Sequence, residues 1–301
     1  MKQHLLALIV ASGLASSAAR ADEPVNANLA DQAASEAAST SQPAPAWPMM
    51  LDPDAWRVQV QPRAWYVSPA GKIRLPSTGA ASGKIKVETF DLDSPRASAY
   101  GEIALKSGPW RFAFSAAGYS VERSNTATSS FQIGSAAVAP GNLLQSSFEY
   151  TMAQGSVGYR VCEHDFGAAD QNPGRTVLRL EVMGGARIHD LDVRVTRLTP
   201  TVLASAADPF YVEPFVGTRA ELQVIRDFSI DLELSAGGLP VEDSVYSFDI
   251  AVGFTWRPID GLGVQIGWRQ LYVDLQEGKG AQQFEYTGTM AGLFAGVTLR
   301  F

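Results

Sequence analysis

The residues of the sequence best suited to chemistry are a histidine and two nearby carboxylates, His189, Asp190 and Asp192. A histidine beside a carboxylate can act as a general base, so this group would suit hydrolysis. A polar rim at a strand end is the more economical interpretation, because the sequence shows neither a second acidic pair nor a marked serine. The three residues are retained only as weak catalytic candidates.

A second group, Cys162, Glu163 and His164, contains the only cysteine of the chain. A single thiol cannot form an internal disulfide, and no further Cys or nearby His completes a metal site. Phosphate-binding, dinucleotide-binding and nucleophile-elbow motifs are also absent from the sequence. The sequence therefore predicts no metal and no cofactor.

The chain begins with the pattern of a cleavable export signal. Lys2 supplies the positive charge, residues 5–11 form a short apolar core, and Ala19-Arg20-Ala21 is a typical cleavage site. We predict a signal peptide over residues 1–21 and a flexible periplasmic leader, rich in Ala, Ser and Pro, over residues 22–54. The folded domain is then expected over residues 55–301.

Charge and hydropathy exclude two classes of protein. The chain has a formal net charge of −7, whereas nucleic-acid binding needs clustered Lys and Arg to neutralise phosphates. No stretch after the signal approaches the ~18 consecutive apolar residues of a transmembrane helix. Neither nucleic-acid binding nor a helical membrane anchor is expected.

From Trp56 to the end, apolar and polar residues alternate, which is the pattern of β-strands. Residues 246–256 are the clearest case, with an aromatic or aliphatic residue at every second position. Turn-forming residues separate these stretches, and long and short connections mostly alternate, as they do in a membrane barrel. We predict an all-β fold, a single transmembrane antiparallel up-and-down β-barrel of ten strands, with eight or twelve strands as alternatives.

Aromatic residues orient the two faces of the predicted strands. On the apolar face they cluster near strand ends, with Trp110 and Trp256 at the end of the short turns and Tyr66 and Tyr286 at the end of the long loops. Such clusters resemble the two aromatic girdles of a membrane barrel. The apolar face is therefore expected to meet lipid, and the charged face to line the interior.

The interior face carries both signs of charge in similar number. A small barrel is only wide enough for its own side chains, and buried charges are costly unless they are paired. We predict that a network of ion pairs plugs the interior, and the alternative is a charge-lined channel for small solutes. The predicted network comprises Arg63, Arg111, Arg179, Glu181, Arg187, Glu213, Arg219, Glu221, Asp231, Glu233, Asp249, Arg269 and Glu285, and Glu102 and Arg300 are predicted on the same inward face.

Two irregularities are predicted within the strands. The fourth strand is predicted over residues 146–161, and its apolar positions change parity between Met152 and Val157, which predicts a bulge or a shift of register there. In the tenth strand, placing Glu285 inside and Tyr286 outside requires a second shift near Gly288.

The final stretch, residues 284–301, ends the chain on an aromatic residue. It resembles the C-terminal assembly signal of outer-membrane barrels, which Gly296, Leu299 and Phe301 match. Phe294 departs from that signal, since a polar residue is usual at its position. The resemblance implies that the last strand is recognised by the barrel assembly machinery.

A wider resemblance covers residues 208–301 and is weaker at residues 64–69 and 92–95. It looks like the "outer membrane protein β-barrel" group related to the opacity and OmpA-like barrels. The motifs are Asp208-Pro209-Phe210, Glu213-Pro214-Phe215-Val216-Gly217-Thr218-Arg219 and Gly267-Trp268-Arg269. This resemblance implies the fold and no reaction, because a fold does not fix function.

We therefore expect a monomeric, non-enzymatic barrel in the outer membrane of a Gram-negative-type envelope, with a structural or surface-interaction role. Its expected partners are outer-membrane lipids and the barrel assembly machinery, and nucleic acid is not among them. The alternatives are a small-solute channel and, less favoured, a surface hydrolase at the rim near His189.

Overall fold

The chain forms a closed ring of ten antiparallel strands in the computed structural model, which describes residues 56–79, 81–166, 176–240 and 243–301. The strands are β1 (Val58–Arg74), β2 (Arg96–Ser107), β3 (Trp110–Thr126), β4 (Leu143–Asp165), β5 (Val177–Arg197), β6 (Phe210–Ile225), β7 (Phe228–Leu239), β8 (Val245–Ile259), β9 (Leu262–Glu277) and β10 (Phe284–Arg300). Each strand pairs with its neighbour in the sequence, and β10 closes the ring against β1. The predicted ten-strand barrel is confirmed. The predictions for residues 1–21 and 22–54 lie outside the described residues.

The two ends of the barrel differ in the length of their connections. Short turns at Gly108-Pro109, Arg226-Asp227 and Asp260-Gly261 lie at one end, called here the turn end. The other end, the loop end, has the long connections after β1, β3 and β5. The connection between β4 and β5 is at the turn end, and its residues 167–175 are outside the described ranges.

Short elements cover the loop end. Two short strands extend the wall, Ile85–Lys86 beside β1 and Leu203–Ala207 beside β5. A 3-10 helix (Val87–Phe90) and a hairpin (Phe131–Ile133 with Ala136–Val138) supply apolar side chains to the buried core. The rings of Phe90 and Phe131 pack edge to face, with centroids 5.8 Å apart. A second 3-10 helix, Gly280–Gln282, lies between β9 and β10.

An apolar belt surrounds the outside of the barrel from the turn end upward. On β5 it runs from Leu178 to Ile188, about the 9–11 residues that a tilted strand needs to cross a bilayer. Exposed aromatic side chains mark its two edges, with Trp110, Tyr159, Trp256 and Phe301 near the turn end and Tyr66, Tyr246 and Tyr272 nearer the loop end. This surface is that of a transmembrane barrel.

No helix in the described ranges is long and apolar enough to cross a membrane.

Above the belt the polarity of the two faces of the wall is reversed, so that the inner face is apolar and the outer face is polar. On β5, Leu191, Val193 and Val195 point inward and are completely buried, while Asp190 and Asp192 are exposed. Residues 118–126 of β3, 143–151 of β4 and 190–197 of β5 share this reversed pattern, and we call them the collar. The collar is built like a water-soluble barrel, with apolar residues inside and polar residues outside.

The reversal explains why the bulge predicted in β4 is wrong. β4 pairs with β3 and β5 without interruption between Met152 and Val157, and its register shift against β5 lies lower, between Arg160 and Cys162. Met152 is buried inside at the base of the collar, whereas Val157 is exposed on the belt. The apolar parity changes because the surroundings change, not because the strand slips.

The same reversal overturns the predicted faces of Glu285 and Tyr286. The pairing of β9 with β10 shows no register shift near Gly288. Tyr286 is completely buried in the apolar core that the collar encloses, called here the collar core, so it does not belong to an aromatic girdle. Glu285 is on the other side of the sheet, where it pairs with Lys84 and with Arg74 (3.8 Å), so it is not part of the interior network.

Phe301 extends the hydrogen-bonded pairing between β10 and β1. The backbone N–H of Phe301 donates to Val58 O (2.9 Å), and its carbonyl accepts from Arg57 N (2.6 Å). Leu299 lies opposite Val60, and Gly296 lies opposite Arg63. The side chain of Phe301 is exposed on the outside. The three residues of the predicted assembly signal therefore lie on the closing strand, while their role in assembly stays a prediction.

Candidate functional site: the barrel interior and the collar

The charged interior contains three clusters, which follow one another along β6 at Glu213, Arg219 and Glu221. The one nearest the loop end, the upper cluster, surrounds Arg187 and Glu213, both completely buried. Arg187 reaches Glu213 Oε1 (3.4 Å) and donates to Gln154 Oε1 (3.0 Å) and Ser235 Oγ (2.7 Å). Ser247 accepts from Arg187 and donates to Glu213. This guanidinium therefore links its own strand, β5, to four others, β4, β6, β7 and β8.

His189 extends the upper cluster toward the collar. It is completely buried, with Nδ1 2.6 Å from the hydroxyl of Tyr150 and Nε2 3.1 Å from Glu213 Oε1. An ionised carboxylate can only accept, so Nε2–H is the donor to Glu213, while Nδ1 shares a hydrogen bond with the hydroxyl of Tyr150. His189 is thus a buried link between a phenol and a carboxylate, with both ring nitrogens in hydrogen bonds.

Asp249 and Arg269 form the best-aligned ion pair of the upper cluster. Arg269 donates from Nε to Oδ1 (3.0 Å) and from Nη2 to Oδ2 (2.6 Å), which is a bidentate arrangement. Its guanidinium also stacks over the rings of Tyr100 (4.6 Å) and Trp65 (5.4 Å). A planar, forked cation is needed for both contacts.

Arg269→Lys is expected to lower the free energy of unfolding by about 2 kcal/mol, because an ammonium cannot pair bidentately or stack in this way. Denaturant titration of the refolded protein in detergent micelles would measure it. Arg226→Lys is the matched control, since Arg226 pairs with Asp260 at the exposed turn end. Equal effects of the two substitutions would contradict the assigned role of Arg269.

The middle cluster joins opposite sides of the wall. Arg219 of β6 lies 3.7 Å from Glu102 of β2, 3.4 Å from Asp231 and 3.7 Å from Glu233. Glu102 also pairs with Arg111 of β3. Because β2 and β6 are far apart around the ring, these contacts cross the lumen. The middle cluster therefore spans the lumen between β2 and β6.

The lower cluster closes the turn end around Glu221. Arg257 and Arg300 each reach Glu221 Oε1 at 3.4 Å, and Arg179 lies 4.0 Å from Oε2. Arg257 also donates to Ser229 Oγ (2.8 Å). Glu221 is the acid that brings the last strand, through Arg300, into the network.

Two further residues of the predicted network line the same interior. Arg63 stacks over the rings of Tyr100 (4.9 Å) and Phe294 (5.2 Å) and donates to Gln61. Glu181 lies opposite Arg219 in the pairing of β5 with β6. The structure thus places the predicted residues in the interior, Glu285 excepted.

Sequence reasoning missed one cation and the neutral members of the network. Arg257 follows the outward-facing Trp256, so alternation alone would have placed it inside. Gln154, Ser235 and Ser247 carried no signal, because a polar residue on an inward face is ordinary until its partner is known.

The catalytic candidates are not brought together. His189 points into the interior, whereas Asp190 and Asp192 are exposed on the outside of the collar. Neighbouring residues of a strand face opposite sides, so one strand cannot join this histidine to Asp190. The ring of His164 packs edge to face against Phe166 at the turn end, with centroids 4.6 Å apart, and Cys162 is exposed. Within the described ranges, no group of three or more His, Cys, Asp or Glu side chains could hold a metal ion.

The outside of the collar carries two grooves that share Glu149. One, of about 400 Å³, lies across β3, β4 and β5 and includes Glu122, Asp192 and Arg194. The other, of about 390 Å³, lies between β2 and β3 and includes Arg96, Ser98 and Tyr119. Burial raises the pKa of Tyr119 to about 12, so its hydroxyl stays protonated and donates to Ser94 O (3.0 Å).

Comparisons with known proteins add similarities of structure. No protein-family model and no curated protein sequence matches the chain. The chain is similar to the crystal structure of the outer membrane protease OmpT from Escherichia coli, with 10% identity, a TM-score of 0.46, and coverage of 83% of this chain and 97% of that one. It is also similar to Neisserial surface protein A, with 15% identity, a TM-score of 0.31, and coverage of 81% and 97%. A third similar structure is Ail, the attachment invasion locus protein of Yersinia pestis, with 10% identity, a TM-score of 0.35, and coverage of 81% of this chain and 99% of that one. Similarity at this level carries no information on activity.

Proposed function

We propose that this protein is a non-conducting, non-enzymatic outer-membrane barrel that acts through its surface, with the collar as its contact region. The observation that carries the proposal is the filled bore. Charged side chains occupy it through the belt, and apolar side chains such as Phe148, Leu191 and Leu271, all completely buried, occupy it through the collar.

The two kinds of filling support a plug rather than a channel. Side chains on opposite walls meet across the lumen in the middle cluster, and the Phe131–Val138 hairpin covers the collar core at the loop end. A solute would have to break buried ion pairs and then displace a packed apolar core. Both steps are costly, since unpaired buried charges and open cavities each destabilise a fold.

Partners and location form part of the same proposal. The apolar belt supports contact with membrane lipids, and the position of Phe301 on the closing strand is compatible with recognition by the barrel assembly machinery. Because β1 begins and β10 ends at the turn end, the loop end would face outward, so the collar would stand in the medium above the lipid. We propose a monomer. The relation of residues 208–301 to the opacity and OmpA-like barrels also remains a proposal.

Planar-bilayer recording tests the filled bore. The refolded full chain is expected to give no stable unit conductance, because the clusters and the collar core both block the lumen. The control for insertion is a protease-protection or heat-modifiability assay on the same preparation, which shows that folded barrel is present. A reproducible conductance step from folded protein would overturn the proposed function in favour of a small-solute channel.

A further inference from the structure

The wall of the barrel is incomplete at the loop end between β2 and β3. Their pairing ends at Tyr100 opposite Ala117, although β2 begins at Arg96 and β3 continues to Thr126. We call residues 96–99 of β2 and 118–126 of β3 the seam. Among the described residues, no strand pairs with β3 above Ala117 on the side that faces β2.

The chain that leads into β2 covers the seam from inside and leaves its edges free. Tyr119 donates to Ser94 O (3.0 Å), Asn125 donates to Thr89 O (2.9 Å), and Arg123 lies 3.6 Å from Asp91. These are side-chain contacts from the inward face of β3. No backbone–backbone hydrogen bond joins residues 87–95 to the β3 edge in the described part of the chain. An unpaired strand edge is a template for another strand.

The seam opens outward into the groove of about 390 Å³. Small residues line it, including Ala97, Ala99 and Gly118, so a backbone can approach closely. Ser98 also lines the groove, but it is only 9% exposed, and its hydroxyl is buried on the inward face, where Ser98 lies opposite Trp65. The polar groups that the groove offers to a ligand are therefore the two free backbone edges, which suit another backbone better than an alkyl chain.

Charge indicates which side chains an added strand would carry. The outward-facing charged residues described on the collar are four acids and one cation, namely Glu122, Glu149, Asp190, Asp192 and Arg194. A second cation, Arg96, lines the groove at the base of the seam, so the acids outnumber the cations by four to two. Glu149 and Asp192 lie directly opposite each other on β4 and β5, an unfavourable placement for two like charges. Glu122 accepts from neutral Gln145 (2.6 Å), and Glu149 accepts from neutral Ser120 (3.3 Å). Basic side chains on an incoming segment would relieve this excess.

We propose that the seam binds an extended peptide segment of a partner protein, which adds as a strand to the free edge of β3 and presents Lys or Arg to the collar carboxylates. Main-chain hydrogen bonds hold the segment, and the acidic outer face selects its charge. This inference rests on the proposed surface role and names the class of partner. A second copy of the chain and lipid headgroups are the competing occupants.

A short synthetic peptide alternating Lys and Thr is the probe, titrated by fluorescence anisotropy against the refolded full chain in detergent micelles. Saturable binding is expected. The same peptide with alternate backbone nitrogens methylated keeps its charge and side chains but loses donors, and is expected to bind about tenfold or more weakly. Amide hydrogen exchange of residues 118–126 is expected to slow when the unmodified peptide is bound.

Substitutions of acidic residues on the protein test whether the charge next to the seam contributes to peptide binding. Glu122→Gln and Glu149→Gln are each expected to weaken binding about two- to fivefold. Asp260→Asn at the turn end removes the same charge far from the seam and is expected to leave binding unchanged. Folding of each variant is verified by heat-modifiable migration.

Three results would overturn the inference. The first is no binding up to about 1 mM, the weak end of specific affinity. The second is equal binding of the methylated peptide, which would leave charge alone as the cause. The third is protection of residues 118–126 that follows protein concentration or added lipid instead of peptide, which would assign the seam to a second copy or to headgroups. None of these results bears on conductance, so the peptide-binding inference can be wrong while the proposed function, which planar-bilayer recording tests, still holds.

Discussion

Arg187→Met is expected to destabilise the barrel by about 3–5 kcal/mol, because removing one partner of a buried ion pair leaves the other charge uncompensated. Arg187 is completely buried, and its guanidinium contacts Glu213, Gln154, Ser235 and Ser247. Met fills a similar volume without supplying a donor, so the loss measured is mainly electrostatic. Denaturant titration in detergent micelles, followed by tryptophan fluorescence, would measure the change in free energy of unfolding.

Two further variants make the result for Arg187 interpretable. Arg226→Met removes a cation of an exposed pair with Asp260 and is expected to cost less than about 1 kcal/mol. Adding Glu213→Gln to Arg187→Met removes the stranded charge and is expected to recover part of the lost stability. If the single Arg187 variant behaves like the Arg226 variant, or if the double variant recovers nothing, the upper cluster does not brace the barrel.

The ring of strands could be predicted because alternation is a local property. Each strand shows it over its own length, and pairing between neighbours in the sequence needs no further information. The interior position of residues such as Arg219 and Asp249 follows from the same parity. Their partners could not be predicted, because contacts such as Arg219 with Glu102 cross the lumen and depend on the tilt and register of the closed ring.

The strand ends at the loop end could not be found by following the apolar parity. β5 continues to Arg197, past Ile188, the last residue of the belt's apolar pattern on this strand. Its apolar positions change from even to odd near His189, since the strand leaves the apolar belt and enters the collar. One strand here carries a membrane-type pattern followed by a soluble-type pattern. A search for a single continuous pattern therefore reads the change between them as a bulge or as the start of a loop. The same change at Tyr286 caused the error in β10.

The predicted grouping of His189 with Asp190 is absent for a different reason. Spacing along one strand brought His189 and Asp190 together in sequence, while alternation separates them across the wall. The partners that His189 has, Tyr150 and Glu213, come from the adjacent strands β4 and β6. A buried histidine with both nitrogens satisfied is a structural link, and the collar rather than the interior is left as the accessible polar surface.

Phe148→Ala is expected to lower the free energy of unfolding by about 3–5 kcal/mol, because it opens a cavity in a packed apolar core. Phe148 is completely buried in the collar, and its ring packs edge to face on Tyr286 (5.4 Å between centroids) and Tyr119 (6.1 Å). The collar core is apolar, while the belt interior is held by ion pairs, so the loss is expected to be local. Amide exchange should accelerate in residues 118–126 and 143–151 more than in the belt part of the same strands.

Phe210→Ala provides the matched control for this last prediction. Phe210 is 61% exposed on the outside of β6, so the same substitution there creates no internal cavity and is expected to cost less than about 1 kcal/mol. The comparison decides whether the two interiors are separate cores. If Phe148→Ala accelerates exchange equally in the collar and in the belt, the barrel unfolds as one unit and the collar has no stability of its own. If exchange rises in the collar alone, the ion-pair clusters hold the membrane part closed without help from the apolar core above them.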